Sequence, residues 1–565
     1  MAYRKNQQVV VKIEDIGMNG EGIGRIDGYT LFVKDALSGD LVEAALTKVK
    51  KTYAYARLVR ILEASPDRIE APCRICRQCG GCQIQTLSYE GQLKFKQNKV
   101  RNDLIRIGGV PAEALDEIME PIVGMGQAGF RYRNKAQYPV GRNKEGKVIA
   151  GFYAGRTHAI METDDCLLGP VENRRILDAV LSHMEEYAIP PYEEETGSGV
   201  VRHVMIRKGF ASAQIMVCLV INAREIAGSG DLVNRLREIE GVCSIYLNVQ
   251  QEKTNVILGE ENILLWGNAY ITDSIYICDV EHDFAPTEES LTYAISPLSF
   301  YQVNPLQTAR MYSQALLYAD LKGTETVWDL YCGIGTISLF MAKRAKRVMG
   351  VEIVEQAVND AKENAKRNGI ENADFLAGKA EEILPVYYAG NETGFAHPDV
   401  IVVDPPRKGC DNACLETMAK MQPEKIVYVS CDPATLARDV KYLSENGYAL
   451  MKVRAFDNFP QTVHVETCVL LGRESGRDVK YEYIDYVPKD NPSGNKQARY
   501  CDIKAWVEEN YGFKVSSLYI GQVKDMCGLA KERDLKNYGK NRVPQCPPEK
   551  VEAIKAAFKH FGMIE

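Results

Sequence analysis

Hydrophobic positions along the chain change period three times, and each change predicts a different kind of structure. Over residues 8–64, short β-rich runs at 9–13, 30–33 and 40–44 alternate with turn residues, with 17–28 read as a turn region. Five or so short strands in so small a span predict a small closed barrel of the oligonucleotide-binding type. Residues 123–280 read as mixed strands with few long helical patterns. From Gly323 to Gly472 the order becomes strand, glycine turn, helix, repeated, which predicts a doubly wound parallel α/β sheet. A polar, turn-rich stretch at 473–492 reads as a linker. Beyond it Ile503, Trp506, Val507 and Tyr511, then Val551, Ile554, Phe558 and Phe561, recur at helical spacing and predict a small helical module. The expected domains are therefore 1–66, 67–298, 299–473 and 494–565.

Composition narrows the class. In 565 residues there is no apolar run near the eighteen or so a spanning helix needs, and the start lacks an apolar signal core, so a cytoplasmic protein without a membrane partner is expected. Sixteen cysteines are too few for a secreted disulfide scaffold of this length, so a cluster of them points to metal binding or catalysis. The net charge of −7 hides an asymmetry: residues 1–135 carry 21 Lys+Arg against 16 Asp+Glu, and the remaining 430 carry 48 against 60. Cationic surface for a phosphate backbone is thus concentrated at the N-terminal end, where Lys48, Lys50, Lys51 and Arg57 interleave with Tyr53 and Tyr55. An ordinary hairpin with a lysine-rich outer face is the plain alternative.

The α/β region carries a nucleoside signal. A strand at 326–330 runs into Tyr331-Cys332-Gly333-Ile334-Gly335-Thr336 and a helix expected over 337–346; Ser338 stands where a dinucleotide fingerprint has its third glycine. The next strand ends in Glu352, 17 residues after Gly335, a position from which a carboxylate accepts both ribose hydroxyls. Further along, an apolar strand at 426–429 delivers Cys431 to the tip of the sheet. Asp404-Pro405-Pro406-Arg407-Lys408-Gly409 upstream and Phe459-Pro460-Gln461-Thr462-Val463-His464-Val465-Glu466 downstream each add a strand-end carboxylate. Taken singly, Cys431 reads as a small buried hydrophobe, Glu466 as a surface acid, Tyr331 as core packing and Gln302 as a helix cap.

Together, these motifs resemble the RNA uracil-5-methyltransferase family over roughly residues 8–473, with a Rossmann-like methyltransferase sheet and an N-terminal TRAM barrel. The resemblance implies that Gln302, Tyr331, Glu352 and Asp404 contact S-adenosylmethionine, and that Cys431 is the nucleophile and Glu466 the base. The chemistry needs that pair. Carbon 5 of uracil becomes nucleophilic only when a thiolate adds to carbon 6, and a base must then remove the hydrogen from carbon 5. In the central region Phe130-Arg131-Tyr132-Arg133-Asn134-Lys135 offers rings and cations to stack and clamp a flipped nucleotide, a basic strand edge being the alternative.

Cys73, Cys76, Cys79 and Cys82 stand with two residues between each neighbouring pair. A zinc site would use all four, although zinc ligands usually come as two pairs from separate loops. An iron–sulfur cluster takes several ligands from one tight loop and another from far away. The run resembles the cluster loop of the family's iron–sulfur members, which implies a 4Fe-4S cluster on Cys73, Cys79, Cys82 and Cys166, with Cys76 left over or replacing Cys73 or Cys166. The expected protein is a monomeric methyltransferase acting on RNA, with 23S ribosomal RNA preferred over transfer RNA. The rival from another class is an RNA-binding protein that keeps the fold without catalysis.

Overall fold

The computed structural model describes residues 3–126, 129–155, 157–383, 397–473, 500–513, 515, 517–527, 546–561 and 563–564, so residues 474–492 of the expected linker lie outside it. Two compact units are present, Met1–Asp485 and Tyr486–Glu565.

In the first unit, five strands close a barrel in the order β1-β2-β3-β5-β4: β1 (Gln8–Ile16), β2 (Gly22–Ile26), β3 (Tyr29–Lys34), β4 (Leu41–Val49) and β5 (Tyr53–Glu63). Strand β2 falls inside the stretch read as a turn. Its glycines allow close crossing: a Cβ at Gly24 would lie 2.4 Å from the Lys12 carbonyl oxygen on β1. Glycine therefore marks strand contact here, although in the sequence it reads as a turn.

The central region forms a seven-stranded sheet containing β7 (Lys135–Arg142), β10 (Val201–Lys208) and β11 (Ile215–Ile221), with α3 (Glu172–Glu186) and α4 (Ser229–Arg237) contributing Ile176, Leu177, Leu232 and Leu236 to its core.

The third sheet has eight strands. From β18 (Ala373–Ala377) it runs through β17 (Arg347–Glu352), β16 (Thr326–Leu330), β19 (Val400–Val403) and β20 (Lys425–Ser430), all parallel. It ends with antiparallel β22 (Glu466–Arg473), then β21 (Tyr448–Phe456) and β6 (Met119–Val123). The last of these comes from the segment assigned by sequence to the central domain. The order reverses between β16 and β19, and the crevice beyond the carboxyl ends of strands at such a reversal is where α/β folds bind ligands. Helix α6 (Thr336–Ala342) is shorter than the expected 337–346, since the chain turns at 343–344.

Among the described residues of the second unit, three helices, α10 (Tyr500–Tyr511), α11 (Ser517–Met526) and α12 (Pro548–His560), pack around Ile503, Val507, Ile520, Val523, Ile554 and Phe558. The helical periodicity read in the tail is therefore that of a small core.

Candidate active site

The buried strand β16 ends at a tight turn in which Tyr331, Gly333 and Gly335 all have positive φ, at 71°, 54° and 83°. For Tyr331 this conformation is strained, and it is held by hydrogen bonds from the Tyr331 and Cys332 N–H groups to the Val351 carbonyl, 2.9 and 3.0 Å. A Cβ on Gly333 would meet nothing within 4 Å, so the backbone there faces open space that a ligand can approach. Glu352 closes this side, accepting from the N–H groups of Gly333 (3.1 Å) and Val354 (2.9 Å). Beyond it Ile353 is exposed, an apolar surface against which a flat base can lie. Ser338, in place of a third glycine, donates its hydroxyl to the buried carboxylate of Asp329. Burial still pushes Asp329 up to about 7. The departure from the dinucleotide pattern thus satisfies a buried acid. Tyr331 is partly buried and packs on the core beside Cys410 and Cys414, in line with the packing reading.

Across the reversal point, Asp404 follows β19 and Gln302 reaches it from a neighbouring segment, Nε2 to Oδ2 3.3 Å. Burial raises Asp404 to about 7 against the stabilising Gln302 bond. Cys431 follows β20 and directly precedes Asp432, which caps α9 (Pro433–Glu445) by accepting from the N–H groups of Ala434 (2.9 Å) and Thr435 (3.3 Å). Glu466 opens β22, whose next residue Thr467 pairs with Ser430. The antiparallel strand therefore returns the carboxylate to the end of the sheet where the thiol stands. A helix N-terminus favours a thiolate, but here burial, then Glu466, then Asp404 push Cys431 up to about 12, with Arg407 acting the other way. Glu466, 3% exposed, is held well above the usual carboxylate range by burial and then by Asp404. Cys431, Glu466, Asp404 and Gln302 are thus brought together, with Tyr331 and Glu352 lining the adjoining half of the crevice.

Arg407, whose role the sequence leaves open, is a cation acting on both the thiol and Glu466. The loop leading to Glu466 rests on a buried polar network that the hydrophobic pattern hid. On α1 (Tyr89–Arg106), Gln92 exchanges hydrogen bonds with Gln461 (3.0 and 2.9 Å), and Lys96 pairs with Asp457, both side chains 0% exposed. Lys96 also donates to the Phe459 carbonyl at 2.9 Å. The 92, 96, 100, 104 face of α1 mixes two polar with two apolar residues. No apolar stripe could announce it, and its regular spacing of four was the available signal.

The cysteine-rich loop joins the same network, its Gln83 and Ile84 N–H groups donating to the Gln461 carbonyl at 3.1 and 3.2 Å. Cys82 is pushed up to about 12 by burial, then by Cys166, Cys79 and Cys73. Cys76 is pushed up by burial and then by Cys73, with Arg77 and Asp35 beside it, and it acts in turn on Cys79. Among the described residues no group of three or more His, Cys, Asp or Glu side chains stands at metal-holding distances. As a donor set, however, four mutually interacting thiols from two distant segments fit a thiolate-bound cluster.

The expected nucleotide clamp at 130–135 is corrected in part. Arg131 bonds to Asp165 and to the carbonyls of Cys166 (3.2 Å) and Gly169 (2.9 Å), so it fixes the Cys166 turn. Tyr132 is fully buried and donates to the Pro460 carbonyl at 3.1 Å. These two side chains are occupied, because the segment is a junction between three parts of the unit and not a free strand edge. On the barrel, Phe32, Tyr53 and Tyr55 form a ring triad with centroids 5.5–5.8 Å apart. Phe32, Tyr55 and Arg57 line a groove of about 490 Å³ that also touches Arg77 and His464.

The sequence pattern of the tRNA (Uracil-5-)-methyltransferase family matches residues 270–474, and that of the TRAM domain matches residues 4–59. A protein named as an uncharacterized RNA methyltransferase from Clostridium tetani is 46% identical over 469 residues, covering 83% of this chain and 97% of the relative. The chain belongs to the uracil-5 RNA methyltransferase family. A second such relative, from Halalkalibacterium halodurans, is also 46% identical over 83% of this chain and 97% of its own length. Among solved structures, the Pyrococcus abyssi tRNA (uracil-54, C5)-methyltransferase in complex with S-adenosyl-L-homocysteine superposes with a TM-score of 0.62 at 26% identity, covering 82% of this chain and 99% of that one. This RNA methyltransferase therefore carries the expected α/β fold, N-terminal barrel and helical tail. No described helix is long and apolar enough to cross a membrane.

Proposed function

We propose that this RNA methyltransferase methylates carbon 5 of a uridine through a covalent adduct between Cys431 and carbon 6, with Glu466 as the base. The observation that carries this reading is the convergence of one thiol and two carboxylates at the strand ends of the sheet, with Cys431 and Glu466 each pushed up by burial and then by the carboxylates beside it. Cys431 Sγ adds to carbon 6, its proton passing to the Asp404 carboxylate, and electron density moves to carbon 5. S-adenosylmethionine, when bound, supplies an electrophilic methyl group there; Gln302, Tyr331, Glu352 and Asp404 are the residues that would hold it. Glu466, as the carboxylate, takes the hydrogen from carbon 5 and passes that proton to solvent, while Asp404 returns its proton to the departing sulfur. The C–S bond then breaks with its electrons returning to sulfur. Retention of both Cys431 and Glu466 speaks against a binding protein that has lost catalysis.

Cys73, Cys79, Cys82 and Cys166 would hold a 4Fe-4S cluster whose role is to order the loop that braces Gln461. This reading rests on the interactions of Cys82 with the other three thiols. The RNA is proposed to be 23S ribosomal RNA, on the resemblance of the cysteine loop to the iron–sulfur branch. The likeness to the archaeal tRNA enzyme favours transfer RNA as a second reading. Mapping 5-methyluridine in ribosomal and transfer RNA from cells with and without the enzyme decides between them, and an unchanged content in both would refute uridine methylation.

A further inference from the structure

The start of β7 carries positive charge that the described residues leave unbalanced. Lys135 opposes Arg207 across the β7–β10 ladder. Like charges placed directly opposite on one sheet face repel and are usually selected against. The Arg207 guanidinium donates to the carbonyls of Pro297 (3.2 Å) and Ser299 (2.7 Å), while its buried Nε has no partner. Among the described residues it makes no hydrogen bond or ion pair with a carboxylate, and a buried cation without a counter-charge is costly. Lys135, half-buried, makes no hydrogen bond or ion pair among the described residues. On the next position of β10 the arrangement is the opposite, with Lys208 paired to Glu172 at 2.7 Å. Beside Lys135, Asn134 donates to the Gln302 carbonyl at 2.9 Å. The unbalanced charge therefore lies against the segment that reaches Asp404.

We propose that Arg133, Lys135 and Arg207 form an oxyanion seat beside residues 297–302, filled in the complex by a phosphate of the substrate RNA or by the carboxylate of the methyl donor. The phosphate is favoured, because Lys135, at the start of β7, and Arg133, just before it, remain partly accessible and lie outside the glycine turn at the end of β16. Burial, then Arg207, then Arg133 lower the Lys135 amine to about 8, and no carboxylate opposes them. The amine thus begins to lose its proton near pH 8 in the free enzyme, whereas a bound oxyanion holds it protonated. Binding takes up a proton, and affinity falls as pH rises above 8, by up to tenfold per pH unit. The inference rests on RNA being the substrate and is independent of uridine chemistry at Cys431.

The test compares wild type, Lys135→Met and Lys135→Arg in binding total RNA and, separately, S-adenosylmethionine, from pH 6.5 to 9.5 and over a salt series. If a phosphate fills the seat, Lys135→Met weakens RNA binding about tenfold or more and makes the salt slope shallower by roughly one. Cofactor affinity then stays unchanged, and Lys135→Arg removes the loss above pH 8 while keeping affinity. If the carboxylate fills it, the same changes appear in cofactor binding. Affinities for both within twofold of wild type in Lys135→Met overturn the seat. Should Lys135→Met fail to fold, a Lys135→Arg enzyme that still loses affinity above pH 8 as the wild type does overturns it equally. An enzyme that passes this test but makes no 5-methyluridine would refute the uridine reading alone.

Discussion

Cys431 and Cys82 are both pushed up to about 12, and burial is the largest cause for each, yet their neighbours make them different reagents. Around Cys431 stand two carboxylates and an arginine, groups that exchange protons. Around Cys82 stand three more thiols, groups that bind soft metals and do little acid–base work. A raised thiol pKa by itself therefore assigns no role, and the chemistry of the groups that raise it does. The two sites also differ in support. Cys431 and Glu466 are fixed by adjacent ladder strands, whereas the cysteine run is a loop secured by turns and by Gln461.

The comparison predicts separable losses. Changing Cys431 to Ala should abolish methylation, by on the order of 10⁴-fold or more, with S-adenosylmethionine affinity and iron content unaltered; measurable turnover on natural RNA would break the assignment. Cys166→Ser should instead bleach protein that is brown and carries about four irons when purified without oxygen. Colourless wild-type protein with stoichiometric zinc would remove the cluster from the account. Lys96→Met, which leaves Asp457 buried and unpaired, should cost about 3–5 kcal/mol by denaturant unfolding and lower activity, since that pair anchors the loop before Glu466. Alkylation of Cys431 by iodoacetamide at pH 8 should run roughly 10³-fold slower than that of an ordinary exposed thiol, and should accelerate as pH rises toward 12. Smallest of all, Cys76→Ser should leave the colour intact.

Much of the catalytic half was legible because parallel strands are continuous apolar runs whose last residues must face the ligand crevice. Glu352, Asp404 and Cys431 each stand one step past or at the end of such a run. What stayed hidden were contacts between distant segments. Lys96 lies 361 residues from Asp457, and a lysine on a half-polar helix face reads as solvent-exposed. Arg131 and Tyr132 read as an RNA clamp because composition gives the groups but not their partners, and both are taken up by protein carbonyls. The glycines of β2 misled for a related reason: glycine serves both turns and close strand crossings, and only the neighbour decides which.

The central claim is that Cys431 forms a covalent bond to the RNA which Glu466 is needed to release. The most direct measurement is intact mass and denaturing gel analysis of the Glu466→Gln enzyme incubated with S-adenosylmethionine and RNA from cells lacking the enzyme. The account predicts a stable protein–RNA species, carrying one added methyl per uridine bound, whose nuclease-trimmed adduct maps to Cys431 and is absent from the Cys431→Ala/Glu466→Gln double variant. Free RNA containing 5-methyluridine at the wild-type rate, with no protein-bound species, would contradict it.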